Sequence, residues 1–131
     1  MLAPYLSVRD GAEAVRFYQK AFAAEEFERY DWEGKVGHAG LRINGHPLFL
    51  ADEFPDLAEQ IGVVAPPTLG GSAVILSLTV DDCDFWFNRA VEAGCTVIRP
   101  LTDEFFGRIG KLRDPYGHVW GVQTIKPHPH G

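Results

Sequence analysis

The sequence has little cysteine, no long apolar run and a shortage of positive charge, and each scarcity excludes a class of protein. Two cysteines in 131 residues, Cys83 and Cys95, are too few for a disulfide scaffold. They bracket a predicted helix of roughly 18 Å at ~1.5 Å per residue, against a limit of ~7 Å between bridged Cα atoms, so they read as two free thiols in a reducing compartment. No stretch approaches the ~20 apolar residues of a membrane span. The chain runs from Met1 straight into the alternation Tyr5-Leu6-Ser7 without a signal-peptide core. Twelve Lys and Arg against eighteen Asp and Glu leave a formal net charge of -6, the wrong sign for gripping phosphate backbones or anionic lipid. The expectation is a soluble cytoplasmic protein with no nucleic-acid and no membrane partner, and 131 residues suit one domain.

What the sequence does contain is an internal repeat. Leu6-Ser7-Val8-Arg9-Asp10 recurs as Leu78-Thr79-Val80-Asp81-Asp82, an offset of 78 − 6 = 72, and the same offset carries Gly45-His46 onto Gly117-His118. Two matches at one offset indicate two copies of one supersecondary unit. In the first copy Ala3 to Val8 alternates as a strand, and Asp10 with Glu13 reads as a helix start. Val15, Tyr18 and Phe22 then line one face of a helix ending near Ala23. Strands follow at Glu25 to Trp32, Lys35 to Ile43 and His46 to Ala51, separated by turns at Glu33-Gly34 and Asn44-Gly45.

The second copy has the same order. Ala73 to Val80 is a strand, Asp82 caps a helix with Trp86, Phe87, Ala90, Val91 and Ala93 inward, and Gly94 ends it. Strands are predicted at Thr96 to Leu101, Arg108 to Arg113 and His118 to Thr124, with a turn at Asp114-Pro115-Tyr116-Gly117. Each unit is βαβββ, an α+β arrangement. The units span about residues 2–52 and 73–125, joined by a Pro/Gly-rich linker over 53–72 with a helical turn around Pro55 to Gln60, and followed by a loose tail over 126–131.

Phe17-Tyr18, Gly70-Gly71, Val80-Asp81-Asp82, Ala93-Gly94, Phe106-Gly107-Arg108 and above all Asp114-Pro115-Tyr116-Gly117-His118-Val119-Trp120 resemble the vicinal oxygen chelate superfamily, the glyoxalase, bleomycin-resistance and extradiol-dioxygenase fold. The last segment looks most like the branch associated with phosphonate operons, often labelled demethylubiquinone-methyltransferase-like. The resemblance runs to about Thr124. It implies two βαβββ units forming a curled mixed sheet around a cleft, usually completed by a second chain in a homodimer.

Metal-dependent members carry four ligands there, and motif spacing places these at Ala3, Phe49, Ile75 and Gly121. None has a donor side chain, and neither do neighbours one residue away. The four are symmetry mates, since 75 − 3 and 121 − 49 both equal 72. No metal or other cofactor is therefore expected. No βαβ unit with a glycine-rich first turn supports methyl transfer with a nucleotide-like cofactor.

Strand parity supplies the cleft candidates. If Ala39, Leu41 and Ile43 lie beneath the helices, His38, Gly40 and Arg42 face the cleft. Tyr5 and Ser7 accompany Ala3, Ala51 accompanies Phe49, Ser77 and Thr79 accompany Ile75, and Gln123 follows Gly121. Tyr30 and Trp32 face with Glu26 and Glu28, and Arg108 lies at the mouth. The expected ligand-binding set is Tyr5, Trp32, His38, Arg42, Phe49, Ser77, Arg108 and Gln123, suited to an aromatic or otherwise hydrophobic small molecule with an anionic or carbonyl end.

Plainer roles compete. His38 is either a ligand-facing acid–base or a structural histidine, His46 and His118 suit bonds within turns, and Arg42 and Arg108 suit ion pairs. Phe85-Trp86-Phe87 suits a core or a dimer contact, and His128-Pro129-His130 is a poor metal site. The principal functional expectation is metal-independent binding of a small molecule by a homodimer joined through strand edges or the second helix. The alternative is a superfamily lyase, isomerase or dioxygenase-type enzyme with His38 as general base, or with His38 and Glu53 or Glu104 as a displaced metal site.

Overall fold

A computed structural model describes residues 1–126. The first unit comprises β1 (Tyr5–Val8), α1 (Gly11–Phe22), β2 (Glu25–Trp32), β3 (Lys35–Ile43) and β4 (His46–Asp52). A 3-10 turn at Pro55–Leu57, α2 (Ala58–Ile61) and α3 (Pro66–Leu69) form the connection. The second unit comprises β5 (Ile75–Thr79), α4 (Cys83–Ala93), β6 (Thr96–Glu104), β7 (Gly107–Arg113) and β8 (Val119–Ile125). The strands make two four-stranded mixed sheets of order β1-β4-β3-β2 and β5-β8-β7-β6, the α+β architecture expected from the repeat. The first turn of the connection falls where Pro55 to Gln60 predicted it; α3, opened by Pro66 and Pro67, was not foreseen. His128-Pro129-His130 lies outside the described residues. Among the described residues no helix is long and apolar enough to cross a membrane.

The repeat extends to the hydrogen bonds that start each helix. Asp10 accepts from Glu13 N at 3.1 Å and Asp82 from Phe85 N at 3.2 Å, satisfying amides that a first helical turn leaves unpaired. One position further in, Gly11 N donates to the buried Asp52 carboxylate at 2.9 Å and Cys83 N donates to Thr124 Oγ1 at 3.0 Å. These pairs also map by 72, as 83 − 11 and 124 − 52. In both units the last strand thus ties down the helix start, with different side chains performing one task. The Glu33-Gly34 and Asn44-Gly45 turns hold consecutive positive φ values, as tight hairpin turns require.

Helix α1 packs on the first sheet, α4 on the second, and the helices pack on each other. Val15, Tyr18 and Phe22 are buried as the helical spacing predicts. The two units share one core. Phe22 stacks on Trp120 with centroids 4.2 Å apart. Tyr18 Oη donates to Asp114 Oδ2 at 2.5 Å, Arg89 donates to the Lys20 and Gln19 carbonyls at the end of α1, and His118 Nε2 donates to the Ser7 carbonyl at 2.9 Å. Cys83 and Cys95 are free and buried. With each sheet backed by its helix, the other face of each sheet carries the exposed side chains.

Candidate functional site

The outward face of the first sheet is aromatic and incompletely covered. Ala39, Leu41 and Ile43 are buried against the helices, and the alternate residues His38, Gly40 and Arg42 point outward. Tyr5 on β1 and Phe49 on β4 flank His38, with ring centroids 5.4 Å from it in each case and 5.8 Å from each other. Tyr30 approaches His38 from β2 at 5.9 Å. The strip ends at Arg42, whose guanidinium lies 4.0 Å from the Phe27 centroid, while Phe27 meets Phe49 edge-on at 6.2 Å. Among the described residues Arg42 forms no ion pair. Tyr5, Tyr30 and Trp32 are 52%, 67% and 51% exposed, which for three neighbouring large rings marks a surface without a partner.

Two bulges decide which residues join this face. In β2 the pairing shifts between Glu26 and Glu28, so Phe27 is an extra residue and turns outward onto Gly40 and Phe49. Glu26, opposite Leu41, instead pairs with Arg29, opposite Ala39, which corrects the expectation that it faces with Glu28. In β3 the shift between His38 and Val36 makes Gly37 the extra residue, which lets Val36 reach the core while His38 still points outward. Gly40 has a steric role. A Cβ there would lie 2.6 Å from Phe27 Cζ and 2.7 Å from Glu28 Cγ, so glycine makes room for both side chains.

Beneath the connection, a pocket of about 420 Å3 is lined by Tyr5, Ser7, Gly37, Ala51, Phe54 and Ile61. It adjoins a groove walled by Tyr30, Trp32, His38 and Phe54. Trp32 meets Phe54 edge-on at 5.2 Å. Glu53 holds the connection in place by accepting hydrogen bonds from Thr68 Oγ1, Ala65 N and Arg9 Nε. Burial pushes its carboxyl up, but these bonds outweigh burial and leave it below its ordinary value.

Within the strip, Tyr5 Oη donates to His38 Nδ1 at 2.6 Å and His38 Nε2 donates to Glu28 Oε2 at 2.5 Å. Burial, and then the negative charge of Glu28, raise the Tyr5 hydroxyl above its ordinary value, so it rests as the neutral phenol.

Ser77 and Gln123 stand on the outward face of the second sheet, where Gln123 Nε2 donates to Ser77 Oγ at 3.0 Å and Thr79 Oγ1 at 2.9 Å. Among the described residues, no hydrogen bond or ring contact joins this cluster to the Tyr5–His38 cluster. The structure therefore gathers Tyr5, Trp32, His38, Arg42 and Phe49 on one sheet and leaves Ser77 and Gln123 on the other. A further cavity of about 460 Å3 lies where Pro4 and Pro47 of the first unit approach Ile75, Ser77 and Thr79 of the second.

Arg108 is not at the mouth of either pocket. Its strand mates Gly110 and Leu112 face α4 and the core, and Arg108 follows that parity to form ion pairs with Asp84 of α4 and with Asp103. Those hydrogen bonds raise its already high pKa further.

The metal positions of the resemblance do not fit a metal. Phe49 is packed among Tyr5, Phe27 and His38, and the space beside Gly121 is occupied by Ile75 and Ile109. Among the described residues no three His, Cys, Asp or Glu side chains cluster as a cation site. Glu53 and Glu104 are engaged with Arg9 and Arg99, and the carboxylate on His38 is that of Glu28.

A pair of βαβββ units, each with an open sheet backed by a helix, defines the class of small cleft proteins to which this chain conforms. The chain belongs to the Glyoxalase/Bleomycin resistance protein/Dioxygenase superfamily, whose family model matches residues 2–122. It is 44% identical over 123 residues to the uncharacterized protein Mb0911c of Mycobacterium bovis, covering 92% of this chain and 80% of that one. Protein YjdN of Escherichia coli is 21% identical, covering 98% and 97%. Among solved structures, TioX from Micromonospora sp. ML1 superposes with a TM-score of 0.72 at 22% identity, covering 95% of this chain and 98% of that one. A glyoxalase-related enzyme from Fulvimarina pelagi superposes at 0.73 with 24% identity, covering 95% and 87%, so both share the fold.

Proposed function

We propose that the protein binds a small aromatic or otherwise hydrophobic molecule against the outward face of the first sheet without using a metal. The observation that carries this reading is the set of exposed rings, Tyr5 at the 420 Å3 pocket and Tyr30 and Trp32 along its adjoining groove, on a sheet face where Phe49 stands at a position for which the family's metal chemistry requires a donor. Flat rings stack between Phe49, Tyr30 and the Trp32–Phe54 pair with little ordering cost, because these side chains are already held by one another. Arg42 offers the strip's free cation to an anionic or carbonyl end of the ligand.

The binding site is completed in a homodimer, in which a second copy supplies Ser77 and Gln123 opposite the strip. The separation of the two clusters within one chain supports this. The protein works in the cytoplasm with a small-molecule partner, a placement supported by its two unpaired thiols, and its acidity speaks against nucleic acid. The Asp114–Trp120 segment favours the phosphonate-operon-associated branch of the superfamily.

Titration with planar phenazine-type and quinone-type compounds should give saturable quenching of Trp32 fluorescence. At a hundredfold excess over Kd the ligand should stabilise the protein by about 2.7 kcal/mol, read as a raised Tm. Phe49→Ala should weaken binding at least tenfold without loss of fold. A panel producing neither quenching nor a thermal shift overturns the reading.

A further inference from the structure

Tyr5, His38 and Glu28 come from three strands and form one directed hydrogen-bond chain. An ionised carboxylate only accepts, so Glu28 fixes a proton on Nε2 of His38, and in the neutral imidazole the Nδ1 lone pair faces the Tyr5 hydroxyl at 2.6 Å. The fold does not require this chain. All three groups lie on the outward face, partly covered by neighbouring rings, and the core is built by the opposite face of the same strands. Holding them together orders three side chains to make two bonds, and the result ends on the hydroxyl of Tyr5, a half-exposed residue that lines the ligand pocket. A carboxylate that orients an imidazole, which in turn takes the proton of a hydroxyl, is a general device for making that hydroxyl oxygen basic.

We propose that Tyr5 is a general acid–base and that this pocket catalyses a metal-independent keto–enol isomerisation of an enolisable ketone with an aromatic body. This rests on the reading of the pocket as an aromatic ligand site. In the first step the Tyr5 oxygen takes the proton from the carbon beside the carbonyl while its own hydroxyl proton passes to Nδ1 of His38. The C–H bond breaks, its electron pair forms the C=C bond, the carbonyl oxygen becomes an enolate, and Glu28 faces the resulting imidazolium. In the second step Tyr5 gives its proton to the enolate oxygen and recovers the one on His38. The ligand leaves as the enol, the protein is unchanged, and no oxidant or reductant is consumed. Tyr5 is the catalytic residue; His38 and Glu28 act through it. Phe49 and Tyr30 flank the imidazole and shield the proton path.

The test is deuterium incorporation into 2-tetralone in D2O, followed by loss of its benzylic proton NMR signal, with binding of the same ketone measured by saturation-transfer NMR. Wild-type protein should accelerate exchange by about 100-fold over buffer, and Tyr5→Phe, which keeps the ring that lines the pocket, should remove that acceleration while the folded protein still binds the ketone. Glu28→Gln should lower kcat by about tenfold with KM unchanged, a split that a purely structural role would not produce. Binding without exchange in the wild type, or undiminished exchange in Tyr5→Phe, overturns the relay and leaves the binding reading standing. A ketone that neither binds nor exchanges overturns both for this ligand class.

Discussion

Asp114 shows how much one buried side chain can organise. Its Oδ1 accepts from the Tyr116 and His118 amides, and its Oδ2 accepts from Tyr18 Oη and Trp120 Nε1. Turn, strand and the helix of the other unit thus meet at one carboxylate. Burial and the adjacent Asp114 charge hold the Tyr18 hydroxyl well above its ordinary value, so it remains a donor. Tyr18→Phe keeps the ring and removes one charge-assisted bond, and should cost about 1.5–3 kcal/mol in urea unfolding. Cys95, raised to about 12 by burial and then by Asp114, should not react with a thiol reagent at mildly alkaline pH until the protein is unfolded. Rapid labelling of the folded protein would contradict that burial. The Asp-Pro-Tyr-Gly run was legible as a turn from its residue types, but the partner that makes it matter, Tyr18, is 96 residues away and no local signal names it.

At the scale of elements, the long helices α1 and α4 and most strand limits follow from local rules, because caps, turns and alternation act over a few residues. Bulges do not announce themselves this way. The parity that places Tyr5, His38, Arg42 and Phe49 on one face holds along β1, β4 and the part of β3 from His38 onward, yet Phe27 joins them only because β2 carries an extra residue there. Arg108 shows the opposite error. It is expected at the mouth of the cleft, whereas the alternation of β7 through Gly110 and Leu112 sends it to Asp84. Gly107, which starts β7, has φ +152, and a Cβ on it would lie 2.1 Å from the Thr124 carbonyl oxygen. Since that neighbour is backbone and cannot turn aside, Gly107→Ala should destabilise by more than about 2 kcal/mol, seen as a lower urea midpoint. Gly34 has open space around it, so the same substitution there should bear only the cost of its positive φ.

At the scale of the molecule, two features are open to measurement. Glu53 secures the connection over the pocket, and its carboxyl titrates below its unfolded value. That contribution is fully present above the unfolded value and fades as the pH falls through the folded one. Acidification should therefore lower stability along a limb that Glu53→Gln flattens, as urea midpoints from neutral pH into the acid range would show. The proposed homodimer predicts a mass near twice 14.5 kDa in sedimentation, and a strictly monomeric protein would leave the Ser77–Gln123 cluster without a place in the proposed binding site. The sequence by itself determined the doubled βαβββ plan, the helix starts and the absence of donors at Ala3, Phe49, Ile75 and Gly121, because each depends on residue type and spacing along the chain. Only the tertiary structure decided that Glu28 reaches His38, that His38 meets Tyr5, and that Arg108 faces α4. These depend on strand register and bulges, which are set when distant strands pair, and a shift of one residue reverses the face on which a side chain stands.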